Sequence, residues 1–197
     1  MLDIGTGDGI RANKLSKELN TSKLTLIDNS EKMIDLSKKI KNAEVHMYDI
    51  SSNNKFPSNQ KFSLITSLWN VFGHIPTYKK RLQALRNIKR LLKKDGVVVI
   101  DISNRYNISY YGFEIVAQNI QRDIESPSIK NGDVITNIEV TKKVKLPYFC
   151  HFHNPFEFEQ MIKKAGLKIR RQYYINYDTG KIEDNFLKGQ LLYFLTK

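Results

Sequence analysis

Apolar positions along the first hundred residues follow two alternating rhythms. Short apolar runs read as buried strands, and stretches with apolar residues three and four apart read as helices. Residues 1–4 form an apolar strand that runs into a glycine turn, and residues 10–19 follow with Ile10, Leu15 and Leu19 on one helical face. Residues 24–27 read as a second strand ending at Asp28. A helix opens after Ser30, with Met33, Ile34, Leu36 and Ile40 along it. Residues 44–48 form a third strand ending at Asp49, 62–69 a fourth and 97–102 a fifth. Between the last two, residues 77–94 carry an apolar stripe of Leu82, Leu85, Ile88, Leu91 and Leu92, and Asp95-Gly96 is expected to end that helix.

The rhythm changes after Ser103. Residues 104–125 read as helical and aromatic-rich, and residues 133–152 alternate weakly, as antiparallel strands do. A helix over 155–165 has Pro155 at its start and Gly166 at its end. Residues 167–174 and 190–196 close the chain as two more strands. Strands alternating with helices imply an α/β fold, a mostly parallel sheet with helices on both faces. No Pro/Gly/Ser-rich linker marks a second unit, so residues 1–197 are expected to form one domain, with 103–150 as an insertion on the substrate side.

Length and composition narrow the class. At 197 residues the chain is long enough for a sizeable core, and 41% hydrophobic with 26% charged residues argues against disorder. No apolar run is long enough to span a bilayer. One cysteine, Cys150, excludes an intramolecular disulfide framework and a cysteine-based zinc site, and with no signal peptide visible a cytoplasmic setting is expected. The net charge of +12 raises a nucleic-acid reading. Its location weakens that reading: residues 1–60 carry nine basic and eight acidic side chains, residues 61–103 nine and two, and residues 104–197 fourteen and ten. Most of the excess falls on the helix over 77–94. Lys89, Arg90, Lys93 and Lys94 are expected at its end away from the ligand edge, and Lys79, Lys80 and Arg81 near that edge.

The chemistry gathers at the strand ends. Asp3-Ile4-Gly5-Thr6-Gly7-Asp8-Gly9 places alternate glycines directly after a strand, where they permit a tight turn and close backbone approach to a ligand. The spacing departs from the dinucleotide fingerprint, because its third small residue falls on Ile10. Asp28 lies 23 residues after Gly5 at the end of the second strand, where a carboxylate can accept from both ribose hydroxyls. Asp49 ends the third strand, placed to face an adenine amino group. Each aspartate alone also suits a turn or a helix cap.

Together these segments resemble the class I S-adenosylmethionine-dependent methyltransferases. Residues 2–9 are similar to that family's first motif, with Asp3 as its acidic residue and Gly5, Thr6, Gly7 and Gly9 in its turn. The resemblance implies that Asp28, with Asn29, holds the ribose, that Asp49 and Ile50 contact the adenine, and that Ser67-Leu68-Trp69-Asn70 line the methionine end. Residues 91–100, Gly166-Leu167 and 189–192 resemble its later signatures. The implied fold is a Rossmann-like seven-stranded sheet ordered 3-2-1-4-5-7-6 with strand seven antiparallel, and the implied cofactor is S-adenosyl-L-methionine. Family members usually carry an upstream, often helical segment over the cofactor. With the first strand opening at Met1, that lid is expected to be absent.

Methyl transfer needs alignment and a dry pocket more than a fixed catalytic group. Candidates for acceptor positioning follow the fourth and fifth strands. Asn70 suits orientation, His74 suits proton acceptance near neutral pH, Arg105 suits a carboxylate or phosphate, and Tyr106 lies beside it. Loop packing for His74 and a surface ion pair for Arg105 stand as alternatives. His151 and His153 share a strand face, but no matched third ligand is apparent nearby, so no metal is expected. Cys150 reads as a small buried residue. Tyr177 and Lys181 match the Tyr-x-x-x-Lys spacing of some oxidoreductases, although Gly180 and their place between the last two strands count against it. The leading reading is methylation of a small or medium-sized acceptor. RNA or protein acceptors, an NAD(P)-dependent oxidoreductase and a non-catalytic cofactor-binding module are the alternatives.

Overall fold

The computed structural model describes the backbone of residues 1–141 and 144–197, and the side chains of all but 138–145. Its elements run β1 (Leu2–Ile4), α1 (Ile10–Glu18), β2 (Leu24–Asp28), α2 (Glu31–Ser37), β3 (Ala43–Met47) and β4 (Phe62–Ser67). A 3₁₀ turn (Val71–His74) leads to α3 (Tyr78–Leu91) and β5 (Leu92–Ile102). Then come α4 (Ile108–Tyr111), α5 (Phe113–Glu125), β6 (Asp133–Thr141), β7 (Val144–His151), α6 (Pro155–Ala165), β8 (Lys168–Ile175), β9 (Ile182–Glu183) and β10 (Gln190–Thr196).

The main sheet has the order β3-β2-β1-β4-β5-β10-β8-β9. Strands β1 to β5 pair in parallel, and β10 runs antiparallel to both β5 and β8. This is the expected order with one strand more, eight rather than seven. The addition is β9, which pairs Tyr174 with Glu183 and Ile175 with Ile182. A hairpin brings it there: Asn176 Oδ1 accepts from the Asp178 and Thr179 N–H groups, and Gly180 takes φ +69°. Two residues are too few to show alternation in a sequence.

A second difference lies at the helix before β5. That helix ends at Leu91, not Lys94, and the fifth strand begins at Leu92. Leu92 is buried and pairs with Phe62, whereas the next strand pair is Leu64 with Val97. Lys93, Lys94 and Asp95 therefore bulge into solvent within the strand. Tertiary pairing of Leu92 outweighs the helical spacing by which it would extend the stripe of Leu85 and Ile88 on α3.

Alternation in the strands sorts the core onto two faces. Leu2 and Ile4 of β1 join Leu85 and Ile88 of α3 and Phe158 and Met161 of α6 in the larger cluster. Leu24 and Leu26 of β2 meet Ala12 and Leu15 of α1 in the smaller. Outside the sheet, β6 and β7 pair as an antiparallel hairpin, as expected for 133–152, and its residues 142 and 143 lie outside the described residues. A parallel bridge from Asn104 to His153 joins this hairpin's exit to the end of β5. Parallel pairing of β1 to β5 puts their carboxyl ends on one edge, where the order reverses between β1 and β4.

Candidate active site

The glycine turn after β1 occupies that edge. Gly5 has φ +64°, and a Cβ there would lie 2.5 Å from Val71 Cγ2, so both backbone and space require glycine. Gly7 has φ +60° with nothing within 4 Å of where its Cβ would be, so the turn faces open space. Its N–H donates to Asp28 Oδ2 at 2.9 Å, and the Ser30 N–H donates to Asp28 Oδ1 at 2.9 Å. Two backbone donors thus fix the Asp28 carboxylate at the end of β2 while each oxygen keeps further accepting capacity. Asp49 is fixed likewise, its Oδ1 accepting from the Ser51 N–H at 2.8 Å and the Ser51 hydroxyl at 2.7 Å.

A cavity of about 240 Å³ opens between these groups. Gly5, Asp28, Asn29, Asp49, Ile50 and His74 all line it. Lys80, expected near this edge, also lines it with Ile4, and Tyr48, Ser51, Val71, Ile75 and Pro76 are wall residues that no motif in the sequence marked. Val71 packs against Gly5, in the space a side chain at that position would fill. The remaining expected residues stand around or beneath the cavity. Thr6, Gly7 and Gly9 form the turn itself, with Thr6 N–H bonded to the Ile27 carbonyl. Asp3 is fully buried, accepts from Thr66 Oγ1 at 2.5 Å and pairs with Arg11 at 3.2 Å. Burial raises the Asp3 pKa, and the Arg11 guanidinium opposes that rise. Arg11 also donates to the Leu68 carbonyl at 3.1 Å, so Asp3 braces β1, α1 and the exit of β4 from below. Ser67 is buried at that exit, and its hydroxyl has no partner among the described residues.

Beyond β4 the chain makes a left-handed turn. Trp69 and Asn70 take φ +72° and +56°, a region that asparagine tolerates but that costs tryptophan roughly 1–2 kcal/mol. Asp101 at the end of β5 holds the turn by accepting the Asn70 N–H at 2.9 Å. Asn70 Oδ1 accepts from the Ser103 N–H at 2.9 Å, and Nδ2 lies 3.2 Å from Cys150 Sγ. The outcome is an exposed Trp69, 75% accessible, on the ligand edge. Its ring centroid is 6.5 Å from that of Tyr177, whose hydroxyl donates to Asp101 Oδ2 at 2.8 Å. Burial, with the Asp101 carboxylate beside it, keeps Tyr177 protonated.

His74 is exposed, with Nδ1 3.4 Å from the Phe149 carbonyl and its ring edge-to-face with Tyr148. Arg105 and Tyr106 lie elsewhere, in a buried knot. The Arg105 guanidinium bonds Asp123 Oδ2 at 2.7 Å, Glu157 Oε2 at 3.0 Å and the Phe152 carbonyl at 2.7 Å. Tyr106 donates to the same Asp123 oxygen at 2.6 Å, and burial followed by that carboxylate pushes its pKa up. Cys150 is buried, and burial raises its thiol pKa.

The cradle suits S-adenosylmethionine: a glycine turn facing open space, a carboxylate fixed at the end of β2, and an apolar Ile50 beside a second carboxylate. Comparison with known proteins agrees. Residues 1–96 match the family model described as a methyltransferase domain. An uncharacterized protein of Methanocaldococcus jannaschii is 24% identical over 196 residues, covering 98% of this chain and 71% of that protein. Among solved structures, a SAM-dependent methyltransferase from Methanosarcina mazei has a TM-score of 0.69 at 16% identity, over 100% of this chain and 91% of that one. SAM-bound CalS10, an amino pentose methyltransferase from Micromonospora echinaspora, has a TM-score of 0.64 at 12% identity, over 100% and 82%. The first 96 residues thus match a methyltransferase-domain model, and the chain as a whole has the class I fold of the S-adenosylmethionine-dependent methyltransferases.

Proposed function

We propose that this methyltransferase transfers the sulfonium methyl of S-adenosylmethionine to a small or medium-sized acceptor that docks beside Trp69 and Tyr177. One observation carries the reading: the cavity at the β1/β4 switch point is walled by Gly5, Asp28, Asp49 and Ile50. Bound S-adenosylmethionine supplies an electrophilic methyl group on a positively charged sulfur. Asp28 accepts from the ribose hydroxyls, Asn29 closes the rim, and Asp49 with Ile50 holds the adenine. The backbone of Gly5, Thr6, Gly7 and Gly9 and the exit of β4 at Ser67 and Leu68 hold the methionine end. Asp3 acts from below by keeping the turn in place.

On the acceptor side the protein's part is alignment and exclusion of water. His74, on the cavity wall, takes the proton from an acceptor whose nucleophile starts protonated. Asn70, Arg105 and Tyr106 act as positioning residues, because their polar atoms are engaged by Asp101, Ser103, Asp123 and Glu157 neighbours. The chain is read as one domain, with 103–150 shaping the acceptor pocket. An aromatic pair suits a small organic acceptor, and CalS10 offers a precedent on this fold. RNA is the second reading, favoured by Lys80 on the cavity rim and the basic surplus of residues 61–103. Among the described residues no helix is long and apolar enough to cross a membrane, and a lone buried thiol suits the reducing cytoplasm.

Calorimetry with S-adenosylmethionine and S-adenosylhomocysteine, followed by methyl-transfer assays on amines, sugars and structured RNA, tests the proposal. One cofactor bound per chain and turnover on a small acceptor support it. Binding of a nicotinamide dinucleotide in place of S-adenosylmethionine overturns it, and turnover on RNA alone transfers the assignment to the second reading.

A further inference from the structure

We propose that His151, His153 and Glu157 form a binding site for one zinc-class divalent ion, where β7 runs into α6. One ligand atom from each of the three lies within 4.8 Å of the others. Spacing in the sequence pairs only the two histidines; the start of α6 turns Glu157 back onto them. Both histidines are fully buried. The two ring nitrogens of His153 have no hydrogen-bond partner among the described residues, an arrangement rare in a folded interior and suited to a nitrogen that serves as a ligand.

His151 is oriented as a metal-binding imidazole is. Its Nδ1 lies 2.6 Å from Asp133 Oδ1, and an outer carboxylate on the far nitrogen is what fixes ring orientation at metal centres. Its Nε2 lies 2.8 Å from Glu157 Oε1. An ion entering there takes the place of the proton between these two atoms, and that proton leaves to solvent. Glu157 Oε2 keeps its 3.0 Å bond to Arg105, so the carboxylate stays anchored. The His153 ring stands 4.5 Å from the His151 ring and 5.0 Å from Phe158, both nearly edge-to-face.

Two imidazoles and one carboxylate select borderline ions such as zinc and disfavour magnesium and calcium, which take all-oxygen sets. Three protein ligands leave a fourth position for water. The ion would clip the β6–β7 hairpin to the sheet, because His153 also bonds Ser103 and Arg105 through its backbone at 3.0 and 2.9 Å.

The test uses the full chain, stripped with a chelator and titrated with Zn(II) by calorimetry and with Co(II) by visible absorption. One ion per chain, the intense Co(II) bands of a four-coordinate site and a raised Tm are expected. His153→Phe keeps a ring against Phe158 and removes both nitrogens, so a folded variant should lose the Co(II) bands. Asp133→Asn spares all three ligands and should weaken Zn(II) about 10- to 100-fold. No binding by the wild type overturns the proposal. Undiminished binding by folded His153→Phe also does, since the ion then sits on exposed imidazoles such as His74. If His153→Phe does not fold, an unchanged affinity in Asp133→Asn overturns it.

Discussion

Two backbone N–H groups converge on Asp28, so its carboxylate is in place before any ligand arrives. Charged hydrogen bonds contribute about 1.5–3 kcal/mol each, so losing the two to the ribose in Asp28→Ala should raise the S-adenosylmethionine dissociation constant by about 100-fold or more by calorimetry. The fold should stay intact, because Asp28 is only half-buried at a sheet edge. Trp69 makes the opposite kind of contribution. It is 75% exposed in a strained turn whose restraint comes from Asp101. Trp69→Ala should leave cofactor affinity unchanged and raise the acceptor KM by about tenfold, the order expected for one aromatic contact. A Trp69→Ala enzyme with unaltered acceptor kinetics would remove that residue from the acceptor site.

Arg105 shows how one side chain can join several elements. It follows β5 and binds Asp123 on α5, Glu157 on α6 and the carbonyl of Phe152 after β7. Its pair with Asp123 is nearly inaccessible, 6% and 10% on the two side chains. Removing one partner of a buried pair strands the other, so Arg105→Met should cost about 3–5 kcal/mol by urea denaturation. The joint is also acid-sensitive. Burial pushes the Asp123 pKa up, but Tyr106, Asn131 and Arg105 together hold it below the usual 3.8. A depressed pKa stabilises the fold fully above the unfolded value, and that contribution is lost as pH falls through the folded one. Asp123→Asn should therefore be less stable than wild type at neutral pH and lose less of its stability below about 3.8.

Across the whole molecule, charge and site are partly separated. Residues 61–103 hold nine basic and two acidic side chains, yet Arg81 among them is buried and donates to the Ile75 carbonyl at 2.9 Å. Lys80 alone of that set lines the cavity. The surplus is thus mostly a solvated surface, and RNA bound to it should be held through phosphates. Its affinity should fall steeply between low and moderate salt in a filter-binding titration. Cofactor binding, which rests on short hydrogen bonds and apolar contact in the cavity and not on many phosphate pairs, should change less over the same range. Parallel losses in both would place the polyanion in the active site.

Local rules were enough for the sheet's parallel half and its ligand edge. Strand and helix periods are set by backbone geometry, and positive φ at Gly5 and Gly7 is open chiefly to glycine, so β1 to β4 and their terminal aspartates could be read directly. Distant contacts decided the rest. Leu92 continues a helical stripe but becomes a strand residue by pairing with Phe62, and β9 exists only because β8 offers an edge. Arg105 has the chemistry of a substrate clamp, and only the arrival of Asp123 and Glu157 commits its donors. His151 and His153 form a pair in the sequence and acquire Glu157 as a third neighbour in the fold. The physical reason is the same throughout. Periodicity records how each segment meets its own backbone and solvent, whereas ion pairs, edge strands and ligand clusters depend on which segments meet each other.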